Sequence, residues 1–249
     1  MVEFSALIPL RIGSKGIKKK NIKPIAGKPL CEWTIKAASQ SNFIKKIYVS
    51  TESEEIARSV KSIGVNVNII ERPRHLASDT ASTESVMLHA IENMDTKHLV
   101  TIQATSPLLT AEDLDNACFK LLKHGYDSLL SAVKSRHFIW TNDAKPLNYN
   151  PSFRPRRQEF EGSYAENGAF YISDCKKLKE TKVRLHGKIG IYEMPEKTLA
   201  ELDTIEDWEL IEPMLLDQNL SANRSPEIAS ERYSLDGLKQ ATPSYNNTN

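Results

Sequence analysis

Short apolar runs rich in β-branched residues alternate with segments of helical period along the first 130 residues. Residues 4–10 (FSALIPL) read as a buried strand and 46–50 (KIYVS) as a second. Residues 65–70 (VNVNII), 98–103 (HLVTIQ) and 128–133 (SLLSAV) follow as the third to fifth. Between them, helical patterns occupy 30–40, 53–62, 83–94 and 111–124. Such alternation predicts an α/β protein with a parallel sheet covered by helices on both faces. Three helix starts carry a capping-box pattern: Thr51 with Glu54, Thr110 with Asp113, and Thr204 with Asp207.

The alternation fails from about Lys134 to Ala165, where three prolines and an arginine cluster interrupt any long period. That stretch reads as an inserted arm. Strands resume at 168–172 and 188–193, and a last helix spans 204–217. The polar residues 218–249 read as a flexible tail, which leaves 1–217 as one domain with the arm at 134–167.

Composition removes several classes of function. With 249 residues, 40% apolar and 26% charged, the chain can bury one large core. Thirty-three Lys and Arg against 32 Asp and Glu leave +1, so no global field draws it to nucleic acid or to an anionic membrane. Cys31, Cys118 and Cys175 are too few and too scattered for a disulfide framework or a zinc site. No basic leader precedes an apolar stretch, and no apolar run approaches the roughly 20 residues that span a bilayer. The expectation is a soluble, cytoplasmic protein.

Local charge is another matter. Seven cations and no acid lie between Arg11 and Lys28, at the end of the first strand. In open α/β sheets, ligands bind outside the carboxyl ends of the strands. Gly13 and Gly16 would let the backbone approach a ligand and adopt left-handed turns, with N–H groups turned to an anion. The arginine and lysines of this run would then neutralise phosphate charge, the arginine with bidentate geometry. This is a candidate polyphosphate site, although neither Gly-x-x-x-x-Gly-Lys-Ser/Thr nor Gly-x-Gly-x-x-Gly occurs. After the third strand, Arg72 is placed to address a base or phosphate, and Thr83 to cap a helix. Gln103 ends the fourth strand with an amide suited to a sugar hydroxyl or base edge. Glu201 and Asp203, at a spacing of two, could hold a hard divalent cation such as Mg²⁺ with phosphate oxygens.

Together these stretches resemble the CMP-N-acylneuraminate synthetases, the cytidylyltransferases that activate sialic acids. The resemblance rests on IPLRIGSKGIKKKN (8–21), ERPRHLASDTAST (71–83), QATSPLLTAEDL (103–114) and RPRRQEFEGSYAENGAFYI (154–172). It covers roughly residues 4–215. It implies a Rossmann-like three-layer nucleotidyltransferase fold with an inserted dimerisation arm. It implies that CTP contacts Arg11, Ser14, Lys15, Lys20, Asn21, Arg72, Thr83 and Gln103, with Arg11 and Lys20 catalytic. It further implies that Gln103, Arg157, Gln158, Glu166 and Asn167 of a Glu-Asn-Gly turn contact the sugar acid, partly across a homodimer. Asp203 matches the second aspartate of the family's metal-binding Asp-x-Asp, whereas Glu201 departs from the first. The implied reaction condenses CTP with a nine-carbon 2-keto sugar acid, releasing pyrophosphate. Legionaminate or pseudaminate remain alternative sugars, and a non-catalytic nucleic-acid-binding module is the alternative from another class.

Overall fold

The computed structural model describes residues 3–222. Seven strands form the main sheet: β1 (Phe4–Pro9), β4 (Ile44–Thr51), β5 (Asn68–Glu71), β6 (His98–Ile102), β7 (Ser128–Ser135), β8 (Ser163–Asp174) and β9 (Ile189–Met194). Their order is β5-β4-β1-β6-β8-β7-β9. β1 pairs in parallel with β4 and β6, and β4 with β5. β8 is the exception, antiparallel to both β6 and β7. The sheet is therefore mostly parallel, as the alternation predicts. Two further strands, β2 (Pro24–Ile25) and β3 (Lys28–Pro29), make a tight hairpin. Ala26 and Gly27 at its tip both have positive φ, the geometry a two-residue hairpin demands.

Central strands of a covered parallel sheet are apolar on both faces. β1 conforms: Phe4, Ala6, Leu7 and Ile8 are all fully buried. The helices α1 (Leu30–Gln40), α2 (Glu54–Ser62), α3 (Thr83–Ile91), α4 (Ala111–His124), α5 (Cys175–Thr181) and α6 (Ile205–Ala222) join this sheet in chain order. One apolar cluster joins β1 and β4 to α1 and α4, and a second joins β1 and β6 to α3 and α5. The helices thus supply two buried layers. Burial also silences His98 at the start of β6: it stacks on Phe4 and its pKa falls to about 4.

Local signals hold in some places and shift in others. Thr110 and Asp113 form the expected reciprocal capping box at α4, and Gly125 ends that helix in the left-handed conformation. Thr204 and Asp207 exchange the same pair of bonds at α6. Thr51 does not cap α2; Ser53 does, and Thr51 instead accepts from the Ser53 N–H. Thr83 likewise yields the cap of α3 to Ser82. Adjacent Ser and Thr residues compete for such roles, and the spacing pattern alone does not choose between them.

The largest change concerns the arm. β7 reaches Ser135 and β8 begins at Ser163, so both ends of the predicted insertion are strand. Lys134 pairs with Tyr164 and Ala132 with Glu166. The irregular part is therefore residues 136–162, carried on the end of a β hairpin. The Glu166-Asn167-Gly168 segment is no turn either: it lies inside β8, at a register shift where Gly168 adopts φ +64. At the other end, α6 continues past the predicted boundary to Ala222. The rest of the expected tail, 223–249, lies outside the described residues.

Candidate active site

The residues after β1, β5 and β6 enclose a cleft of about 470 Å³ at the carboxyl edge of the sheet. Arg11, Ser14, Lys15, Lys20, Asn21, Arg72, Thr83, Gln103 and Asp203 all line it. Arg157, Gln158, Glu166, Asn167 and Glu201 do not. Of the seven cations in the basic run, only Arg11, Lys15 and Lys20 face this space. Lys19 pairs with Glu55 of α2 at 2.7 Å, Lys23 sits over the Trp208 ring, and Lys28 over Trp33. The run that reads as one patch in sequence is thus split between the cleft and the scaffold.

The loop takes its shape from specific ties. The Asn21 side-chain amide donates to the Arg11 carbonyl at 2.9 Å. Glu52 accepts the Ile12 N–H at 2.9 Å and the Arg72 guanidinium at 2.9 Å. Arg72 also donates to the Leu10 carbonyl at 2.6 Å and is only 4% exposed. Its Nη2 thus holds the ends of β1 and β4 together, while its Nε is buried without a partner among the described residues and the residue lines the cleft. The left-handed residue is Lys19 (φ 53), not Gly13 or Gly16. Gly16 is required for another reason: a Cβ there would stand 2.4 Å from the Asp203 carbonyl oxygen. The first loop and the last site segment touch backbone to backbone.

A small apolar cluster makes that contact possible. Ile17, Ile25 and Leu30 pack with Leu202, Trp208, Ile211 and Leu215. Each such buried side chain stabilises by roughly 1.5–3 kcal/mol. The Leu202 N–H donates to Thr105 O at 3.1 Å, and Glu212 of α6 accepts the Ala26 N–H of the hairpin. With Leu202 fully buried, Glu201 and Asp203 are both left on the exposed side, as their spacing predicts.

Charge in the cleft is balanced internally. Lys20 donates to Asp203 at 2.7 Å and is itself mostly covered. Arg11 and Lys15 both reach Asp79, at 2.6 and 3.1 Å. These two contacts, Arg11 first, hold the Asp79 carboxyl below the usual carboxylate range. Asp79 and Glu52 are the residues of this region that sequence reading missed. Asp79 is an acid of a polar loop and Glu52 one of three in Glu52-Ser53-Glu54-Glu55, and their partners lie far away in the chain.

A metal has a modest set of ligands here. Among the described residues no group of three or more His, Cys, Asp or Glu side chains is placed to hold one. Asp203 faces the cleft, and Glu201 lies beside Gly168, where a Cβ would stand 2.4 Å from its Oε1. Desolvation first, then the neighbouring Asp203, raise the Glu201 pKa. Two repelling carboxylates next to a space for anions fit a hard cation whose shell is completed by substrate oxygens.

The remaining predicted residues lie elsewhere. Glu166 is exposed and accepts from Tyr171 OH at 2.7 Å, with Tyr171 pushed to about 12 by burial and that bond. Asn167 is fully buried; its amide donates to Thr198 Oγ1 at 2.9 Å and steadies the β8 register shift. Arg157 and Gln158 are exposed on the arm. Arg157 borders a separate hollow with Arg136, Arg154 and Arg156. Within the arm, Phe138 packs on Tyr149 and Phe160, and Arg154 lies over Phe138.

Comparison with known proteins bears on the family and the fold. The sequence model of the family described as cytidylyltransferase matches residues 5–225. The N-acylneuraminate cytidylyltransferase A of Danio rerio is 37% identical over 233 residues, covering 90% of this chain and 54% of its own. The chain spans about half the length of the N-acylneuraminate cytidylyltransferases it matches. The pseudaminic acid cytidylyltransferase of Campylobacter jejuni is 27% identical over 214 residues, covering 82% of this chain and 92% of its own. Among solved structures, a CMP:2-keto-3-deoxy-manno-octonic acid synthetase complexed with CTP superposes with TM-score 0.64 at 15% identity. It covers 87% of this chain and 99% of its own, which is a likeness of fold.

Proposed function

This chain belongs to the cytidylyltransferase family, and we propose that it condenses CTP with a nine-carbon 2-keto sugar acid, N-acetylneuraminate or a close analogue. The products are the CMP-sugar and pyrophosphate. The observation that carries this reading is the convergence of Arg11, Lys15 and Lys20 with Asp203 on one cleft at the strand ends. The sugar's anomeric hydroxyl attacks the α-phosphorus in line with the departing pyrophosphate. Nucleotidyl transfer depends chiefly on positioning and on neutralising oxyanion charge. Arg11 and Lys20 neutralise the α-phosphate and pyrophosphate oxygens, with Lys15 on the outer phosphates. Ser14, Asn21, Thr83 and Gln103 position the nucleotide, and Arg72 braces the wall behind it. Asp203, with Glu201 beside it, would hold Mg²⁺, which supplies further charge neutralisation on phosphate oxygens.

The sugar acid lies toward β8 and the arm, against Gln103 and Glu166, with Arg157 and Gln158 delivered by a second copy of the chain. Asn167 supports that wall from within the core. The exposed Trp140, Leu147 and Phe153 on the arm support a homodimer, because large apolar side chains clustered on one projection favour a partner surface. A pseudaminate-type sugar is the second reading, supported by the near-complete coverage of the Campylobacter jejuni relative.

Pyrophosphate release measured with CTP, Mg²⁺ and a panel of nine-carbon sugar acids tests the reading, with ATP, GTP and UTP as controls. The expected result is release with CTP and one sugar class only. Retention of RNA in a salt-sensitive manner, with no CTP-dependent release, would replace it by the nucleic-acid-binding alternative.

A further inference from the structure

Two cations of the nucleotide cleft already hold an anion, and that anion is part of the chain. Asp79 lies on the loop between β5 and α3, on the wall of the cleft opposite the basic loop. One carboxylate oxygen takes Arg11 at 2.6 Å and the other takes Lys15 at 3.1 Å. The partners are 68 residues apart in sequence for the arginine, so no local turn enforces the contact. The geometry is that of an oxyanion bridging two cations, which is what a phosphate group does at such a site.

We infer that Asp79 is an exchangeable counter-anion, holding the places on Arg11 and Lys15 that phosphate oxygens take. This rests on the reading of the cleft as a triphosphate site. Nucleotide entry then requires displacement of the Asp79 carboxylate, and departure of pyrophosphate is matched by its return. The exchange is cheap because the pairs are exposed: the Asp79 side chain is 46% exposed and that of Lys15 78%. Water and salt screen contacts of this kind, and their net worth is small. A polyphosphate, with several charges to the carboxylate's one, wins the competition. Between ligands, Asp79 keeps Arg11 and Lys15 aimed into the cleft.

Lys20 differs. Its partner Asp203 belongs to the proposed metal site, and its own side chain is only 14% exposed. The ion pairs of Asp79 are with Arg11 and Lys15. Neutralising it should therefore strengthen anion binding, whereas neutralising a ligand-binding residue weakens it.

The test is calorimetric titration of the full chain with inorganic pyrophosphate alone, in the wild type, Asp79→Asn and Asp79→Glu, at low and high salt. Asp79→Asn should bind pyrophosphate about three- to tenfold tighter at low salt, with the gain shrinking at high salt. Asp79→Glu should stay near the wild type. Unchanged or weaker pyrophosphate binding in Asp79→Asn, with an unaltered melting temperature, overturns the inference. Should Asp79→Asn melt early, the same titration of Asp79→Ser, run well below its melting temperature, replaces it. No tightening at low salt in that variant overturns the proposal. Because neither titration needs a sugar acid or turnover, failure of the proposed reaction is read separately, in the pyrophosphate-release assay.

Discussion

The basic cleft and the arm are both rich in arginine and lysine, yet they are built in opposite ways. In the cleft each cation of the first loop has a carboxylate partner: Lys20 has Asp203, and Arg11 and Lys15 share Asp79. Its backbone is held from behind by Glu52, Arg72 and the Trp208 cluster. On the arm, Arg154 lies on aromatic rings and Arg156 reaches Glu159 only at 3.7 Å. Trp140, Leu147 and Phe153 face outward, Phe153 at 82% exposure, while Phe138 packs on Tyr149 and Phe160. A site whose positive groups are aimed by carboxylates can receive a free anion by exchanging one counter-charge for another. A projection with outward apolar groups leaves large apolar area in water.

That contrast can be broken most forcefully at Lys20. Lys20→Ala should cut kcat by about 10²–10³-fold with the fold intact, the scale of removing one preorganised charge-stabilising group. Single-turnover rates with CTP check it, and unchanged turnover would remove Lys20 from the catalytic set. Next comes the scaffold: Trp208→Ala should destabilise by about 3 kcal/mol, since it empties a buried aromatic site beneath the basic loop. Denaturant unfolding reads this directly. On the arm, Arg157→Ala should raise KM for the sugar acid about tenfold and leave the CTP dissociation constant within twofold. A parallel loss of CTP affinity would merge the two regions into one. The smallest expected effect is Phe153→Ala, within about 0.5 kcal/mol of the wild type in monomer stability, as suits an exposed side chain. Its effect should surface instead as weaker self-association in sedimentation.

The sheet was legible because β1, β4, β6 and β7 are short apolar runs, and their burial follows from composition alone. The cleft was legible because charge asymmetry at the end of β1 is a one-dimensional signal. What escaped depends on distance in the chain or on neighbours in space. Asp79 reads as an ordinary loop acid until Arg11 is seen beside it. Arg72 reads as a ligand contact, and only the fold adds that Glu52 and Leu10 hold one nitrogen of its guanidinium. Asn167 sits in a sequence that looks like a turn, and only the pairing of β8 with β7 reveals that its amide is a core tie. Gly16 was noticed for conformational freedom, yet its value lies in the missing side chain opposite Asp203.

The contact between Gly16 and Asp203 also orders events in time. Lys20 and Asp203 are 183 residues apart, and α6, which holds the second against the first, leaves a ribosome after every strand of the sheet. The sheet can form while synthesis continues, because β1, β4 and β6 are already out. The pocket cannot. A nascent chain cannot close this basic cleft until α6 emerges, so a product that stopped short of Leu202 would keep much of the sheet and lack the Gly16–Asp203 contact.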